Sequence, residues 1–480
     1  MSLRVPFAIV AALALPACMV VGTDYTSPDT ITPDFWNQSL AKDLHSGNSS
    51  LERWWTRFND PTLNRLIDAA RDSNRDLAIA YERITEARAA RGIARSQLFP
   101  SIDFGGSATR NRTSENIGTP SPPSGKTDHF WATGLDAGWE IDFFGGVRRS
   151  IEAADATVEG AEELHRDLMV SLFAEVALNY IQIRTLEERI AVARSNIGNQ
   201  QKSVDLTQDR LDAGLSPELD VSQAETNLAT TRAVIPLLRN QRDFAVNRLA
   251  TLIGRYPSAA ETFIGKSKGI PLPSGSAGVG LPADLVRARP DIRAAERQLA
   301  AQTALIGVAE AELLPRFTLA GTFDLQALTA ADLLESGSRN YGFGPNFRWS
   351  IFSAGRIQSQ IAVEESRTKQ AFYNYQNVVL KAVEEVENSL STVRNERDRF
   401  SELDKAVGSA ERTEELVTSN YTEGLIDFQN VLDAQRTVFA NQDERVISQG
   451  QIAAGYASLF KALGGGTRMK PGPVETDGKP

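Results

Sequence analysis

Cysteine and histidine are almost absent from this chain of 480 residues, which contains one Cys and three His. A disulfide framework is therefore excluded, and few ligands remain for a zinc cluster of Cys and His. Basic residues number 51 against 61 acidic ones, and the net charge of −10 argues against a nucleic-acid partner, which requires a basic face. After the first residues no stretch approaches ~18 uninterrupted apolar positions, so we expect no transmembrane helix, and any membrane crossing must use β-strands.

The N-terminal residues predict a lipoprotein signal. The apolar run Val5 to Leu15 is too short for a bilayer span of ~20 residues. It ends in Leu15-Pro16-Ala17-Cys18, which resembles a bacterial lipobox. We therefore predict a cleaved signal peptide over residues 1–17 and lipid attachment at Cys18. Met19, rather than Asp, follows this cysteine, and in lipoproteins this resembles outer-membrane sorting. An ordinary signal peptide with an unmodified cysteine is the alternative.

An internal duplication organises the rest of the chain. Ala213-Gly214-Leu215 recurs about 210 positions later as Glu423-Gly424-Leu425, and Leu98-Phe99-Pro100 recurs as Leu313-Leu314-Pro315. A stretch rich in Gly, Pro and Ser separates the two halves. The predicted segments are a lipidated extended segment (18–62), repeat 1 (63–254), an equatorial linker (255–280), repeat 2 (281–464) and a disordered tail (465–480). Each repeat is expected to begin with one helix, over about 63–97 or 281–313.

A pair of strands is predicted to follow that helix in each repeat, at about 101–113 and 131–143, then 316–325 and 341–352. Apolar and polar residues alternate strictly from Trp131 to Phe143. Strands of about ten residues with one apolar and one polar face are typical of transmembrane β-barrels, although a soluble sandwich also alternates. Four strands cannot close a barrel, whereas two copies would give eight strands with a filled interior and three copies twelve. The strand count therefore predicts an oligomer, and a pore favours the trimer.

Long helices are predicted by apolar heptads in windows without proline. The heptad positions are Val176, Ile183, Ile190, Ile197, Val204 and Leu211, then Phe372, Val379, Val386, Val393, Phe400 and Val407. Helices from about Val147 to Ala213 and from Arg356 to Glu423 would each have ~67 residues and measure ~100 Å. Heptads alone also fit the coiled coil of a periplasmic adaptor. Strand pairs between the helices of both halves are unexpected for an adaptor.

The whole pattern resembles the TolC-like outer-membrane efflux channels, and within them the NodT-type lipoproteins. The residues that carry the resemblance are Cys18-Met19-Val20-Val21-Gly22, Tyr25, Pro28, Trp54-Trp55, Phe58, Asp60-Pro61, Leu63, Asn74, Asp76-Leu77, Ala80, Arg83, Ala87 and the duplicated turns. This resemblance implies an α+β membrane protein that is a homotrimer. Its 12-stranded transmembrane β-barrel, with four strands per chain, continues into a long periplasmic α-helical barrel. It also implies partnership with a periplasmic adaptor and an inner-membrane pump, and no cofactor.

The resemblance places the channel entrance at the two helical turns, 210–217 and 420–427. The residues implied in adaptor docking are Gly214, Leu215, Ser216, Gly424, Leu425 and Ile426, although a bare hairpin turn would use glycine equally. The residues implied in a periplasmic gate are Asp433, Asn430, Tyr421 and Asp220. Ile426 also stands where some relatives have a bridging arginine, so that part of the gate is expected to be absent. Three copies of Asp433 facing one lumen would attract cations, unless Asp433 is a solvated residue on an outer helix face.

The expected function is passive conduction of drugs or other small toxic compounds through the outer membrane, as part of a tripartite efflux system. A non-conducting structural lipoprotein and a periplasmic adaptor are the alternatives. No enzyme activity is expected. The segment Ala260–Ser267 fits a relaxed phosphate-loop pattern but lacks its first glycine and a preceding strand, and His45, His129 and His165 lack zinc-protease spacing.

Overall fold

The computed structural model describes residues 20–29, 32–41, 44–47, 51–116, 127–275 and 277–466. The predicted signal peptide, Cys18 and residues 467–480 lie outside the described residues. The chain divides into two units. The described residues of the first fall within Met1–Pro28, Arg83–Ala161 and Ala294–Tyr375, and those of the second within Asp29–Glu82, Glu162–Arg293 and Gln376–Pro480.

The secondary structure repeats in the order that the duplication predicts. The helices are α1 (Pro61–Ser73), α2 (Arg75–Ser96), α3 (Gly146–Asp212), α4 (Glu218–Leu252), α5 (Pro257–Ile264), α6 (Pro282–Ala288), α7 (Pro290–Ala311), α8 (Arg356–Thr422) and α9 (Phe428–Ala462). The strands are β1 (Leu44–His45), β2 (Ser101–Arg112), β3 (Thr127–Ile141), β4 (Ala277–Gly278), β5 (Arg316–Ala327) and β6 (Arg339–Arg348). Within the described residues, no helix is long and apolar enough to span a membrane.

Four of these strands form one antiparallel sheet in the first unit, in the order β2-β3-β5-β6. The two predicted strand pairs are present, and β3 also pairs with β5, which joins the two repeats in a single sheet. The observed bounds differ from the predicted ones by up to four residues, because alternation marks the faces of a strand more sharply than its ends. The strands β2 and β6 are the edges of this sheet within one chain.

The register places nearly all large apolar side chains of this sheet on one face. Their positions are Ile102, Phe104, Trp131, Leu135, Trp139, Ile141, Phe317, Leu319, Phe323, Leu325, Tyr341, Phe343 and Phe347. The opposite face carries polar residues that include Asp103, Ser107, Asp136, Glu140, Thr318, Thr322, Asp324, Asn340 and Asn346. Much of the apolar face is exposed in one chain: Phe104 is 76% and Phe343 is 86% exposed. The alternation predicted from the sequence is therefore confirmed.

The predicted single helix before each strand pair is wrong, because each is divided into two helices. Asn74 ends α1 with an extended backbone, and its side-chain oxygen accepts a hydrogen bond from Leu77 N at 3.0 Å, which caps α2. In the second repeat α6 ends before Arg289, whose backbone is extended. Pro290 follows, and the ring of a proline disfavours helical geometry in the residue before it.

The two long helices are confirmed, and each has 67 residues. Heptad positions nearest the middle of these helices are the most buried. Val176, Ile183, Val386 and Val393 are each 0% exposed. The sustained apolar period therefore identifies the packed face of both helices in the second unit.

Towards its C-terminal end α3 buries polar residues instead of apolar ones. Asn196, Gln200, Ser203 and Thr207 are at most 6% exposed, whereas the heptad residues beside them are half-buried. The Asn196 side chain donates to Val192 O at 3.0 Å and to Gln442 Oε1 at 2.7 Å. The packed face thus changes from an apolar to a hydrogen-bonded one before the helix ends.

The predicted linker is partly a packed helix rather than an unstructured connection. Ala260 and Ile264 of α5 are 0% exposed, and the buried Arg184 guanidinium donates to Ile264 O at 2.6 Å. Two residues of the predicted tail are also ordered against the second unit. Gly465 N donates to Phe460 O at 2.9 Å, and Gly466 N donates to Leu51 O at 3.0 Å.

Candidate functional site at the helical tips

Two turns, which we call the first tip (residues 210–217) and the second tip (residues 420–427), reverse the chain with the same backbone pattern. Leu215 N donates to Arg210 O at 2.8 Å, and Leu425 N donates to Asn420 O at 2.8 Å. Gly214 has φ of +72° and Gly424 has φ of +79°. A side chain at either position would be strained, which explains the glycine in both repeats.

The residues predicted to dock an adaptor differ in how far they are exposed to solvent. Leu215 is 66% and Leu425 is 67% exposed, so each tip presents one large apolar side chain to solvent. Ser216 is half-buried, and its hydroxyl lies 3.5 Å from Thr207 O. Ile426 is half-buried too and packs against an apolar cluster that contains Phe428. The leucines are therefore the side chains available to a partner, and docking itself stays a prediction.

A hydrogen bond joins the second tip to the start of α4, at the pair predicted from the resemblance. Tyr421 is 4% exposed, and its hydroxyl donates to Asp220 Oδ2 at 3.0 Å. The Tyr421 ring packs against Phe428, with ring centroids 5.1 Å apart. Burial, and then the bond to Asp220, raises the pKa of Tyr421 above its usual value. A tyrosine is already protonated at neutral pH, and this shift extends the alkaline range over which the phenol can donate its proton.

The other two predicted gate residues do not join this buried pair. The Asp433 side chain is 63% exposed, and its carboxylate accepts a hydrogen bond from Gln429 at 2.9 Å. Asn430 is also exposed and donates to Asp427 O at 3.2 Å. One chain thus has a buried tyrosine of the second tip bound to α4 and, separately, an exposed acidic residue on α9.

Sequence reasoning did not single out Arg210, a residue of the first tip that contacts the second tip. Its Nη1 donates to Thr422 O at 2.8 Å, and its guanidinium carbon lies 4.8 Å from the centroid of the Tyr421 ring. Ile426 occupies the position of the bridging arginine of some relatives, and the arginine that contacts the second tip here is Arg210 of the first tip. In the sequence Arg210 differs from its repeat counterpart, the uncharged Asn420, but this difference does not indicate which residue the arginine contacts.

The segment after the predicted lipidation site is held tightly in the first unit. The buried Arg149 guanidinium donates to Val21 O and Gly22 O, both at 2.9 Å, and to Asp24 at 2.8 Å. A Cβ at Gly307 would lie 2.9 Å from Val21 O, so glycine is needed where this segment crosses α7. These contacts fix the first described residues of the chain, which follow Cys18 closely in the sequence.

The structure also places the histidines and the segment that resembles a phosphate loop. No group of three His, Cys, Asp or Glu side chains in that part of the chain is arranged to hold a metal ion. The segment that resembled a phosphate loop begins inside α5, so a helix, not a strand, precedes Gly265. His45, His129 and His165 lie in β1, β3 and α3.

The fold and the tips define a class of protein: a duplicated chain that carries a membrane-type sheet and two long helical hairpins. The sequence profile of a family described as "Outer membrane efflux protein" matches residues 66–255 and 281–465. The chain belongs to this family, and it is an outer-membrane channel component of an efflux system.

Individual relatives agree with this assignment. Nodulation protein T of Rhizobium leguminosarum bv. viciae is 31% identical over 96% of this chain and 93% of its own length. The pyoverdine export outer membrane protein OpmQ of Pseudomonas aeruginosa is 31% identical over 94% of this chain and 96% of its own length. The structure of the outer-membrane channel OprN superimposes with a TM-score of 0.86 at 34% identity, over 93% of this chain and 99% of that one. The predicted TolC-like, NodT-type family and fold class are confirmed.

Proposed function

We propose that three copies of this chain form one continuous duct, which conducts small compounds passively from a periplasmic adaptor and an inner-membrane pump to the cell exterior. The observation that carries the proposal is the four-stranded sheet with two open edges and opposite apolar and polar faces. Unpaired strand edges require partners, and in a bilayer only a closed barrel supplies them without exposing backbone groups.

Closure by three copies accounts for the polar face. A barrel of eight strands fills its interior with side chains, whereas twelve strands leave room for a lumen. Acidic and amide side chains such as Asp103, Asp136 and Asn346 on the inner face favour a water-filled lumen. The exposed phenylalanines on the outer face would then contact lipid.

The tips are proposed to be the periplasmic end, where the exposed Leu215 and Leu425 dock an adaptor. Apolar side chains rimmed by polar ones are typical of interaction sites. Energy would come from the pump, so the duct needs neither a catalytic site nor a cofactor. A lipid on Cys18 would anchor the N-terminal segment at the outer membrane.

The names of relatives suggest the range of compounds exported. At about 30% identity they include proteins named for pyoverdine export, solvent efflux and toluene efflux. We infer that this chain likewise conducts small organic compounds, and that the partner pump selects among them.

A pair of matched substitutions in one strand tests the proposal. The protein would be extracted from outer membranes, sized by light scattering and inserted into planar bilayers. Wild type should have the mass of a trimer and conduct. Phe343→Arg, on the apolar face of β6, should abolish insertion, since an arginine facing lipid costs about 2–4 kcal/mol at the bilayer midplane. Asn346→Arg, on the polar face of the same strand, should insert and lower cation conductance.

The alternatives predict different results. A structural lipoprotein would reach the outer membrane and not conduct. An adaptor would be missing from outer-membrane fractions, and no trimer resistant to detergent would be found there. Equal tolerance of both arginine substitutions would contradict the assignment of the two faces of the sheet.

A further inference from the structure

Basic side chains gather at one end of the apolar face of the four-stranded sheet. We propose that this outer basic cluster, Arg110 and Arg112 of β2 together with Arg339 of β6, binds the phosphates of lipid A, the phosphorylated glycolipid of the outer leaflet. The cluster depends on the proposed function in two respects, the closure of the sheet by three copies and the position of its hairpin loops at the cell exterior. Conduction plays no part in it.

Charge is divided between the two faces of the sheet. The register places Arg110 and Arg112 on the face of Phe104, and it places Arg339 on the face of Phe343, which is the same apolar face. The structure describes all residues of the four strands, and their carboxylates lie on the polar face: Asp103, Asp128, Asp136, Glu140 and Asp324. The apolar face of these strands therefore carries positive charge and no negative charge.

The three arginines lie at the strand ends next to the hairpin loops. Arg110 and Arg112 are among the last three residues of β2, and Arg339 is the first residue of β6. Tyr341 follows two residues further into the sheet, and Trp131 pairs with the position two residues before Arg110. Tyrosine and tryptophan on the lipid-facing side of a membrane sheet mark the interface between lipid and water. The outer basic cluster is therefore at the level of the lipid headgroups.

Chain connectivity indicates which leaflet these headgroups belong to. The helices α2 and α7 enter the sheet, and α3 and α8 leave it, at the strand ends opposite the hairpin loops. If the long helices occupy the periplasm, the loops and the outer basic cluster face the exterior, where the outer leaflet lies.

The arginines are available to a ligand. All three are exposed, and Arg112 pairs with Glu115 of the following loop at 3.2 Å while 67% of its side chain stays exposed. Neither Arg110 nor Arg339 forms an ion pair with any residue that the structure describes. A guanidinium group can donate two parallel hydrogen bonds to a phosphate, so an arginine without a carboxylate partner at the headgroup level favours a phosphate ligand.

The apolar surface beside the arginines favours a lipid over a free anion. Phe104 and Phe343 are 76% and 86% exposed on the same face, so the acyl chains of a bound lipid can cover these rings while its phosphates reach the arginines. Lipid A carries two phosphates on one headgroup. This arrangement suits arginines on two separate strands better than the single phosphate of a phospholipid does.

Closure by three copies brings the two parts of the cluster together. The strands β2 and β6 are the edges of the sheet in one chain, and they run in opposite directions. In the proposed trimer β6 of one copy therefore pairs with β2 of the next. Arg339 of one copy then lies beside the strand that carries Arg110 and Arg112 of the next copy. Each junction forms one site, and each site needs two copies of the chain.

Native mass spectrometry of the full-length protein tests the site without any transport assay. The assembled protein is purified in mild detergent, stripped of lipid, and titrated with lipid A, with lipid A from which both phosphates have been removed, and with inorganic phosphate. Wild type should bind one lipid A molecule per junction, which is three per trimer. It should bind the dephosphorylated lipid at least about tenfold more weakly, because the contacts to arginine are then lost. Inorganic phosphate should show no saturable binding.

Matched substitutions at the two edges of the sheet locate the site. Arg110→Gln and Arg339→Gln should each weaken the binding of lipid A about tenfold, because each removes a charged contact to a phosphate. Arg339→Lys keeps the positive charge and should recover part of the affinity. Arg348→Gln is the control, since Arg348 belongs to the same strand but lies on the polar face, and it should bind lipid A as wild type does.

Each outcome decides one question. Equal affinity of wild type for the two forms of lipid A would overturn the site, and this comparison holds even if a substituted chain does not assemble. Weaker binding in Arg339→Gln but not in Arg110→Gln would overturn its location between two copies, and an equal loss in Arg348→Gln would show a nonspecific effect and overturn it too. Binding as expected, without any conductance of wild type in planar bilayers, would uphold the site and contradict the proposed conduction.

Discussion

Trp139 donates its indole N–H to Leu98 O at 2.9 Å, and Trp349 makes the same bond to Leu313 O at 2.9 Å. Each tryptophan lies near the end of a hairpin, and each carbonyl belongs to the turn that follows the entering helix. The bonds span 41 residues in the first repeat and 36 in the second, so the contact is preserved although the hairpins differ in length.

The tryptophan bonds predict matched losses of stability. Trp139→Phe and Trp349→Phe each keep an aromatic ring but leave a backbone oxygen without its donor. We expect each to cost about 1 kcal/mol. The measurement is the temperature at which the assembled protein dissociates in detergent. Trp131→Phe, in the same strand and on the same face as Trp139, is the control and should lower that temperature less.

A glycine in α7 should control the docking of the N-terminal segment. Gly307→Ala places a Cβ within 2.9 Å of Val21 O and of the Arg149 side chain, so the segment must shift. We expect limited proteolysis near residues 20–29 to become faster. Gly160→Ala is the control, because its Cβ would meet its nearest neighbour at an ordinary 3.6 Å. Equal proteolysis of both variants would show that the close crossing is unimportant.

The raised pKa of Asp167 predicts that the stability of the folded protein depends on pH. Burial, and then the charge of Asp291, raises its pKa to about 6, while Arg289 and Lys461 oppose this shift and Glu385 adds to it. The folded protein therefore binds more protons at this site than the unfolded chain does, and stability falls as pH rises from about 4 to about 6. Asp167→Asn should be more stable than wild type above that range.

The direction of this pH dependence is tested by measuring the midpoint of unfolding of both proteins at several pH values. The advantage of Asp167→Asn should shrink as pH falls below about 6 and vanish below about 4, where the Asp167 carboxyl is protonated in both the folded and the unfolded chain. Asp291→Asn is the control with the opposite expectation. Asp291 binds the buried Arg289 guanidinium through both oxygens, at 2.7 and 3.0 Å, so its neutral variant should be less stable at neutral pH.

The exposed carboxylate of Asp433 is expected to contribute to the ion selectivity of the proposed duct. If three copies face one lumen, Asp433→Asn should lower the preference for cations in planar bilayers, because the ring of negative charge is removed. Glu402→Gln, an exposed carboxylate on α8, is the control and should change selectivity less. Unchanged selectivity in Asp433→Asn would place this residue on an outer helix face.

Periodicity made most of the fold predictable. A period of two identified the faces of the sheet, and a period of seven identified the long helices to within one residue at each end. Both signals are local, since each depends only on which side of one element is buried. The breaks at Asn74 and Pro290 were missed although their residue types are common helix ends, because the apolar pattern continues across them.

The tip residues show where sequence reasoning stopped. The resemblance placed Tyr421 opposite Asp220, and the structure has that hydrogen bond. Arg210 was read only as part of a turn, because its partner lies 212 residues away in the chain. A single sequence gives no sign of which distant backbone oxygen an arginine will reach.

By itself the sequence determined the elements and their duplication, because hydrophobic period and turn residues act over a few neighbours, and its resemblance to a known family indicated an efflux channel. Only the tertiary structure decided that β3 pairs with β5 and that the C-terminal part of α3 buries polar side chains. It also decided that Arg210 of the first tip binds the backbone of Thr422 in the second. These features arise between segments far apart in the chain, where packing and hydrogen-bond geometry select among many pairings that the sequence allows equally.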